Sequence, residues 1–347
     1  MAPPGLAKVH SSQAEPWHPQ ASFLTERPSF EHFWSFSKIR QPSRSKQTDP
    51  DRGLLGLLYG NRRALSEADL VANSVLYEEQ DKIAIITINR PERLNTLTAE
   101  VIQAVGEYVD QAASAAEVAA IVLRGAGPNT SAGYDLADFL ANEDASPGEA
   151  WDPVADYQSM SGNVRNFMKV WECPKPVVAE ISGWLIGGAT DLLLCADLLF
   201  MADDAHIGYA PSRIYGTPTT MMWVHRIGLE HAKQFLLTGR PINAETAFRI
   251  GLVSRVCRAS ELSRTAESEA RRFADIPSNQ LALNKLLINQ AFENMGLRTS
   301  QMLGTFFDGI ARHTPEAQDW ASRITEGEFR EAVAERDEPW GDYGQSR

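Results

Sequence analysis

Two adjacent glycines, Gly187 and Gly188, stand between a strand-like stretch and an apolar run in the segment Ser182 to Asp197. Small residues at a helix start leave its first amides unobstructed. Those N–H groups have no acceptor inside the helix, and the helix dipole makes the place electropositive. An oxyanion forming there is stabilised by backbone alone. Asp191, which follows Gly188 by three residues, is the nearest ionisable group. Two plainer readings stay open: a glycine pair also makes a simple strand-to-helix turn, and an acid in a first helical turn also complements the dipole. A second segment, Asn129 to Phe139, has the same order of strand end, glycine turn at Gly133 and short helix. Amides from two such turns, converging on one carbonyl oxygen, can hold a thioester enolate or a tetrahedral intermediate. Asp135 and Asp138 read as capping charges of the short helix.

The elements that must position these groups alternate in type. Val75–Glu78 and Ile83–Ile88 read as strands joined by a turn at Gln80–Lys82,. Thr98 caps an amphipathic helix to about Ala115, with Val101, Ala104, Val105 and Val109 at helical spacing,. Ala119–Arg124 and Pro176–Ile181 read as buried strands on either side of a helix around Gln158–Trp171. From Val224 onward the pattern is mainly helical, with one short strand near Leu252–Cys257. Strand–helix alternation followed by helices predicts an α/β core with a C-terminal helical region. Residues 1–72 are rich in Pro, Ser, Gln and His without a sustained period and read as irregular, with an apolar turn at Leu54–Leu58,.

Composition narrows the function classes. The chain has 347 residues, 43% of them hydrophobic, and a formal net charge of −12. No basic stripe supports nucleic-acid binding, and the acidic balance disfavours an anionic membrane surface; a few local cations can still hold phosphates. Cys173, Cys195 and Cys257 show no C-x-x-C spacing and no neighbouring His cluster, so they read as reduced, packed thiols, and no metal or cofactor is expected,. The longest apolar run, Leu192–Met201, is interrupted by Asp197 and falls short of the ~20 residues of a membrane span,. The N-terminus has no secretory pattern, and the expected location is cytoplasmic.

The motif order resembles the crotonase (enoyl-CoA hydratase/isomerase) superfamily. Thr87–Asn95, Ser131–Leu136, Lys175–Gly183 running into Gly187–Leu192, Ala196–Leu198 with Ala202–Gly208, and Thr238–Ala247 with Gly251–Val256 carry the resemblance, from about residue 73 to the end. It implies a spiral of ββα units over 73–265 and a C-terminal helical trimerisation region over 266–347, in a homotrimer or homohexamer. It puts the two oxyanion amides at Tyr134 and Gly188, beside Gly133 and Gly187. An acyl-CoA substrate, coenzyme A being part of it, would lie against Arg93, Leu94, Asn95 and Ala132, with Lys285 near its phosphates; a solvated helix face is the other reading of Lys285.

Two positions depart from that family's pattern. Its hydratases use two glutamates, one acting on water and one exchanging a proton with the α-carbon. The first falls on Asp191, whose stem is one methylene shorter and whose reach changes by ~1.5 Å. The second falls on Pro211, which cannot carry a proton. Tyr209, Arg213 and Tyr215 are the nearby polar candidates, and Tyr209 would need Arg213 to act as a base. His206 reads as a packing or capping residue at a strand edge. Trp151, Phe167, Met168, Met221, Met222 and Trp223 hint at a bulky acyl lining, although each also reads as core. The leading expectation is hydration of a 2-enoyl-CoA with Asp191 as acid/base. Double-bond isomerisation, thioester or C–C hydrolysis, ring opening, and acyl-CoA or RNA binding without turnover are the alternatives.

Overall fold

A two-residue turn sets the start of the fold. The computed structural model describes residues 74–136, 150–326 and 329–343. Strands β1 (Val75–Gln80) and β2 (Ile83–Ile88) pair antiparallel around Asp81 and Lys82, which lie at φ 47° and 65°. Positive φ at both turn residues matches the twist of the flanking strands. The turn is one residue tighter than expected, because Gln80 still pairs with Ile83. The expected apolar turn at Leu54–Leu58 lies outside the described residues.

Helix α1 (Ala99–Ser114) begins where Thr98 predicts, its hydroxyl accepting from the Val101 amide at 3.3 Å. Val101, Ile102, Val105, Val109 and Ala112 form its buried face. The chain returns through β3 (Ala120–Gly125), parallel to β2. Helix α2 (Pro153–Glu172) starts five residues before the expected Gln158, because Asp152 caps the Val154 and Ala155 amides and Pro153 suits a first turn,.

A winding of two sheets follows. β4 (Val177–Ile181) joins the main sheet and β5 (Trp184–Ile186) a second one, before helix α3 (Gly188–Leu193). β6 (Leu198–Ala202) and β7 (His206–Gly208) repeat the step, followed by α4 (Met222–Leu236). Then come β8 (Ile242–Asn243), α5 (Ala244–Arg249) and β9 (Arg255–Cys257). The main sheet runs β1-β2-β3-β4-β6-β9 and the small sheet β5-β7-β8. Each winding gives one strand to each sheet, which is the expected ββα spiral. β8 has two residues, too few for any period to show,. β9 occupies only the last three residues of the stretch expected from Leu252.

Helix α6 (Leu262–Arg272) lies across β3, β4 and β6. The chain then forms α7 (Ser278–Asn294), α8 (Leu297–Arg312), α9 (Pro315–Thr325) and α10 (Phe329–Asp337). α8 packs on α2. Phe167, Met168, Met222 and Trp223 are core residues, so the core reading of these four holds. His206 stacks on Trp184 at 4.8 Å, as the strand-edge packing reading expects. Among the described residues no helix is long and apolar enough to cross a membrane.

Candidate active site

The glycine pair opens a helix shorter than the apolar run suggests. α3 has six residues, and the chain then turns through Leu194–Asp197 into β6. Its first turn is braced. The Thr190 hydroxyl donates to Gly187 O at 2.7 Å and accepts from the Trp223 indole at 3.0 Å. At the other end the Arg226 guanidinium donates to Leu194 O at 2.7 Å and to Ala196 O. A cation on these terminal carbonyls offsets the negative end of the helix. The Gly188 amide is thus fixed by groups that never touch it.

The second turn is stitched beside the first. Leu97 N–H donates to Gly133 O at 2.8 Å, and Asp135 N–H donates to Leu97 O at 2.9 Å. Leu97 therefore holds both neighbours of Tyr134, and strand alternation turns the Tyr134 amide to the opposite side. A bridge between Ser131 and Leu185 draws this loop onto β5. Gly133 has φ +95°, and a Cβ there would lie 2.9 Å from Ile186 O and 3.4 Å from Gly188 N. A Cβ at Gly188 would lie 2.3 Å from Cε2 of Tyr134. Only hydrogen at both positions lets the turns meet.

The expected acyl-CoA loop has a defined frame. Leu94 and Asn95 both adopt positive φ, 52° and 53°. Asn95 is fully buried; its Oδ1 accepts from Arg90 N–H and its Nδ2 donates to Ala126 O and Asn129 O, each at 2.8 Å. Asn95 thus shapes the loop, while Arg93 and Leu94 remain exposed. Ala132 N–H donates to Leu94 O at 3.0 Å. The Asp135 carboxylate, expected as a helix charge, binds Arg90 at 3.1 Å and Thr96 at 2.9 Å, and so ties this loop to the second turn. Asp138 lies outside the described residues.

These pieces enclose a cavity of about 290 Å³. Leu94, Ala132, Gly133, Tyr134, Gly187 and Gly188 line it together with Tyr209, Pro211, Thr219, Asp308 and Arg312. Met160 lines the cavity, whereas Trp151, Phe167, Met168, Met221, Met222 and Trp223 do not. Burial, aided by the charges of Asp191 and Asp308, raises the Tyr134 and Tyr209 hydroxyls well above the usual phenol range. Such groups donate hydrogen bonds and do not act as bases near neutrality.

Asp191 sits outside that lining, 1% exposed. Its Oδ1 accepts from both the amide and the hydroxyl of Thr220, at 2.8 Å each, and Oδ2 is buried without a well-formed hydrogen bond. Burial pushes its carboxyl up to about 7, against the pull of the Thr220 and Thr219 donors. A carboxyl poised there exists in both protonation states at physiological pH.

Arg213, expected beside Tyr209 as its helper, serves the C-terminal segment. Its guanidinium pairs with Asp337 and Asp342 at 2.7 Å and lies against the rings of Trp340 and Tyr343. The largest charges acting on Tyr209 are those of Asp191 and Asp308. Lys285 is 7% exposed, and its Nζ donates to Asp197 at 2.7 Å, Lys175 O at 3.1 Å and Val170 O at 3.3 Å. All three of its donors are engaged inside the protein. The sequence reading missed Thr220, Asp308 and Arg312. The one signal for the last two is their i, i+4 placement on α8, a pattern common on solvated helices.

A family model described as Enoyl-CoA hydratase/isomerase matches residues 78–315. The chain belongs to the enoyl-CoA hydratase/isomerase family. The short-chain-enoyl-CoA hydratase of Clostridium acetobutylicum is 28% identical over 225 residues, which is 64% of this chain and 83% of that relative. The crotonyl-CoA hydratase of Syntrophomonas wolfei is 29% identical, covering 65% of this chain and 83% of the relative. The crystal structure of an enoyl-CoA hydratase from Mycobacterium smegmatis superposes with a TM-score of 0.74 at 40% identity, over 78% of this chain and 95% of that one. The α/β spiral with C-terminal helices is therefore the fold of this family.

Proposed function

We propose that this chain adds water to a 2-enoyl-CoA, with the thioester oxygen held by the Tyr134 and Gly188 amides. The observation that carries this reading is the contact of the two glycine turns, Gly133 lying against the Gly188 amide on the cavity wall. Two preorganised donors aimed at one oxygen stabilise the enolate that forms when a nucleophile adds to C3. Arg93, Leu94 and Ala132 offer the coenzyme A part a shaped edge, and the apolar cavity receives the acyl chain. Asp191, the carboxyl nearest the Gly188 turn though outside the cavity lining, is the acid/base assigned to the proton of the added water, its carboxyl near neutrality as that task needs,. Exposed Leu283, Leu286 and Leu287 on α7, with Leu303, Phe307 and Ile310 on α8, support assembly of the helical region with other copies, as a homotrimer or a pair of them,. Free thiols, buried at Cys173 and Cys195 and half-buried at Cys257, suit a cytoplasmic location,.

The test is incubation of the purified protein with crotonyl-CoA and longer 2-enoyl-CoAs. Formation of 3-hydroxyacyl-CoA is the expected result. Absence of hydration at every chain length would remove this reading and leave isomerisation or hydrolysis on the same oxyanion hole.

A further inference from the structure

The position where a second acid/base would face the α-carbon holds Pro211, and the surrounding residues show what stands in its place. A Cβ built on Gly216 would lie 3.1 Å from Pro211 Cβ, 3.4 Å from Asp308 Oδ1 and 4.0 Å from Tyr209 Oη. Three cavity-lining side chains therefore converge at one point, and only one of them carries a carboxylate. Asp308 comes from α8, whose inner face is built from Gln301, Gly304, Thr305 and Asp308, all buried. Its Oδ1 accepts from Thr217 N–H at 3.0 Å, and its Oδ2 accepts from Arg312 Nε at 3.0 Å. Arg312 is shared with Asp156 of α2 at 2.6 Å. The carboxylate is thus oriented from both sides.

We propose that Asp308 exchanges the proton at C2 of the acyl group, supplying from the C-terminal helical region the acid/base that Pro211 cannot. The inference rests on the hydration reading above. In the hydration direction, the water oxygen bonds to C3 while the C2–C3 π electrons move onto the thioester oxygen. The water proton goes to the Asp191 carboxylate. The enolate electrons then return and C2 takes the proton of the Asp308 carboxyl, leaving its carboxylate beside Arg312. One water is added, one proton passes from Asp308 to Asp191, and solvent resets both. The groups that face Asp308 are Arg312 on its own helix, Asp156 on α2, Asp191 on α3, and Tyr134 and Tyr209 in the cavity. Burial raises the Asp308 carboxyl, with Arg312 and the Thr217 amide pulling against it.

The deciding experiment follows deuterium entering C2 of butyryl-CoA in D2O by NMR, a step that needs the oxyanion hole and the α-carbon base but no water addition. The wild-type protein exchanges. Asp308→Asn, which keeps the Thr217 contact, loses exchange by at least about 100-fold, the scale of one general acid–base group. Asp156→Asn disturbs the same ion pair without removing the cavity carboxylate and exchanges within about 10-fold of wild type, separating chemistry from misfolding. Exchange at the wild-type rate in Asp308→Asn overturns the proposal, as does absence of exchange in the wild type. A wild type that exchanges C2–H yet hydrates no enoyl-CoA removes the hydration reading, while the Asp308→Asn comparison still decides this one.

Discussion

Asp191 and Thr220 form a closed pair, one carboxylate oxygen taking both the amide and the hydroxyl of the threonine at 2.8 Å. The pair binds α3 to the loop that feeds α4, and its carboxyl stays at about 7 because burial outweighs these donors. A carboxyl whose folded pKa exceeds its unfolded value binds protons more tightly when folded. Its contribution to stability is complete below pH ~4, the ordinary carboxylate range, and is lost as pH rises through about 7,. Wild-type melting temperature therefore falls relative to Asp191→Asn between pH 5 and pH 8. A constant difference across that window would show that the carboxyl titrates in its ordinary range.

The same group sets a kinetic expectation. If the Asp191 carboxylate takes the water proton, kcat/KM for hydration has a limb that rises with pH, with a midpoint near 7, and falls again where Asp308 loses the proton it delivers to C2,. Stopped-flow loss of enoyl absorbance from pH 5 to pH 9 measures it. In Asp191→Asn the residual rate loses that rising limb, and persistence of the limb would assign it to another group.

Gly188 permits no side chain. Its Cβ would fall 2.3 Å from the Tyr134 ring, and Tyr134 also carries the second amide. Gly188→Ala must push that ring and its loop away, separating the two donors. Loss of one oxyanion donor costs about 100- to 1000-fold in kcat. We expect a loss of that size with binding of a saturated acyl-CoA weakened less than about threefold, read by calorimetry. Equal losses in both would mean that the fold, and not the oxyanion hole, was broken.

Both glycine turns and the strand–helix alternation of the α/β core were legible from residue order, since their geometry is encoded locally; the ββα spiral came from the family resemblance. Gly133, Gly187 and Gly188 mark positions where backbone must approach backbone, and Thr98 marks a helix start. Asp308 and Arg312 were not legible. They reach the cavity only because α8 packs on α2, far along the chain, and nothing in an i, i+4 acid–base pair tells a cavity wall from a solvated face,. The destinations of Arg213 and Lys285 were hidden for a related reason. Their partners, Asp342 and Asp197, lie 129 and 88 residues away in sequence. β8 and the six-residue α3 were obscured by length, being set by tertiary pairing more than by periodicity.

The outer side of the same helices gives a prediction about assembly. Leu286 and Leu287 are more than 60% exposed on α7, as Leu303 and Phe307 are in part on α8. α8 carries Asp308 on its inner face, so whatever covers the outer face also steadies the cavity wall. Leu287→Asp should shift sedimentation from the proposed trimer or hexamer toward monomer. Hydration activity should then fall with dilution. An unchanged sedimentation profile would place the subunit contact elsewhere.

Arg213 latches the C-terminal segment onto the spiral. The 4%-exposed guanidinium bridges Asp337 and Asp342, and the Tyr343 hydroxyl donates to Gly239 O at 2.7 Å. Tyr343 and Asp337 also line the cavity, so the latch forms part of its wall. Arg213→Met keeps most of the stem but takes this cation from Asp342 and leaves Asp337 with Arg336 alone. Breaking a buried pair from one side costs on the order of 3 kcal/mol. We expect urea unfolding to show a loss of that size, and hydrogen exchange to rise in residues 329–343 ahead of the rest. Because the wall is released while the oxyanion turns are untouched, KM for long acyl chains should rise several-fold more than KM for crotonyl-CoA. A uniform change across chain lengths would mean that the latch stabilises the fold without shaping the acyl pocket.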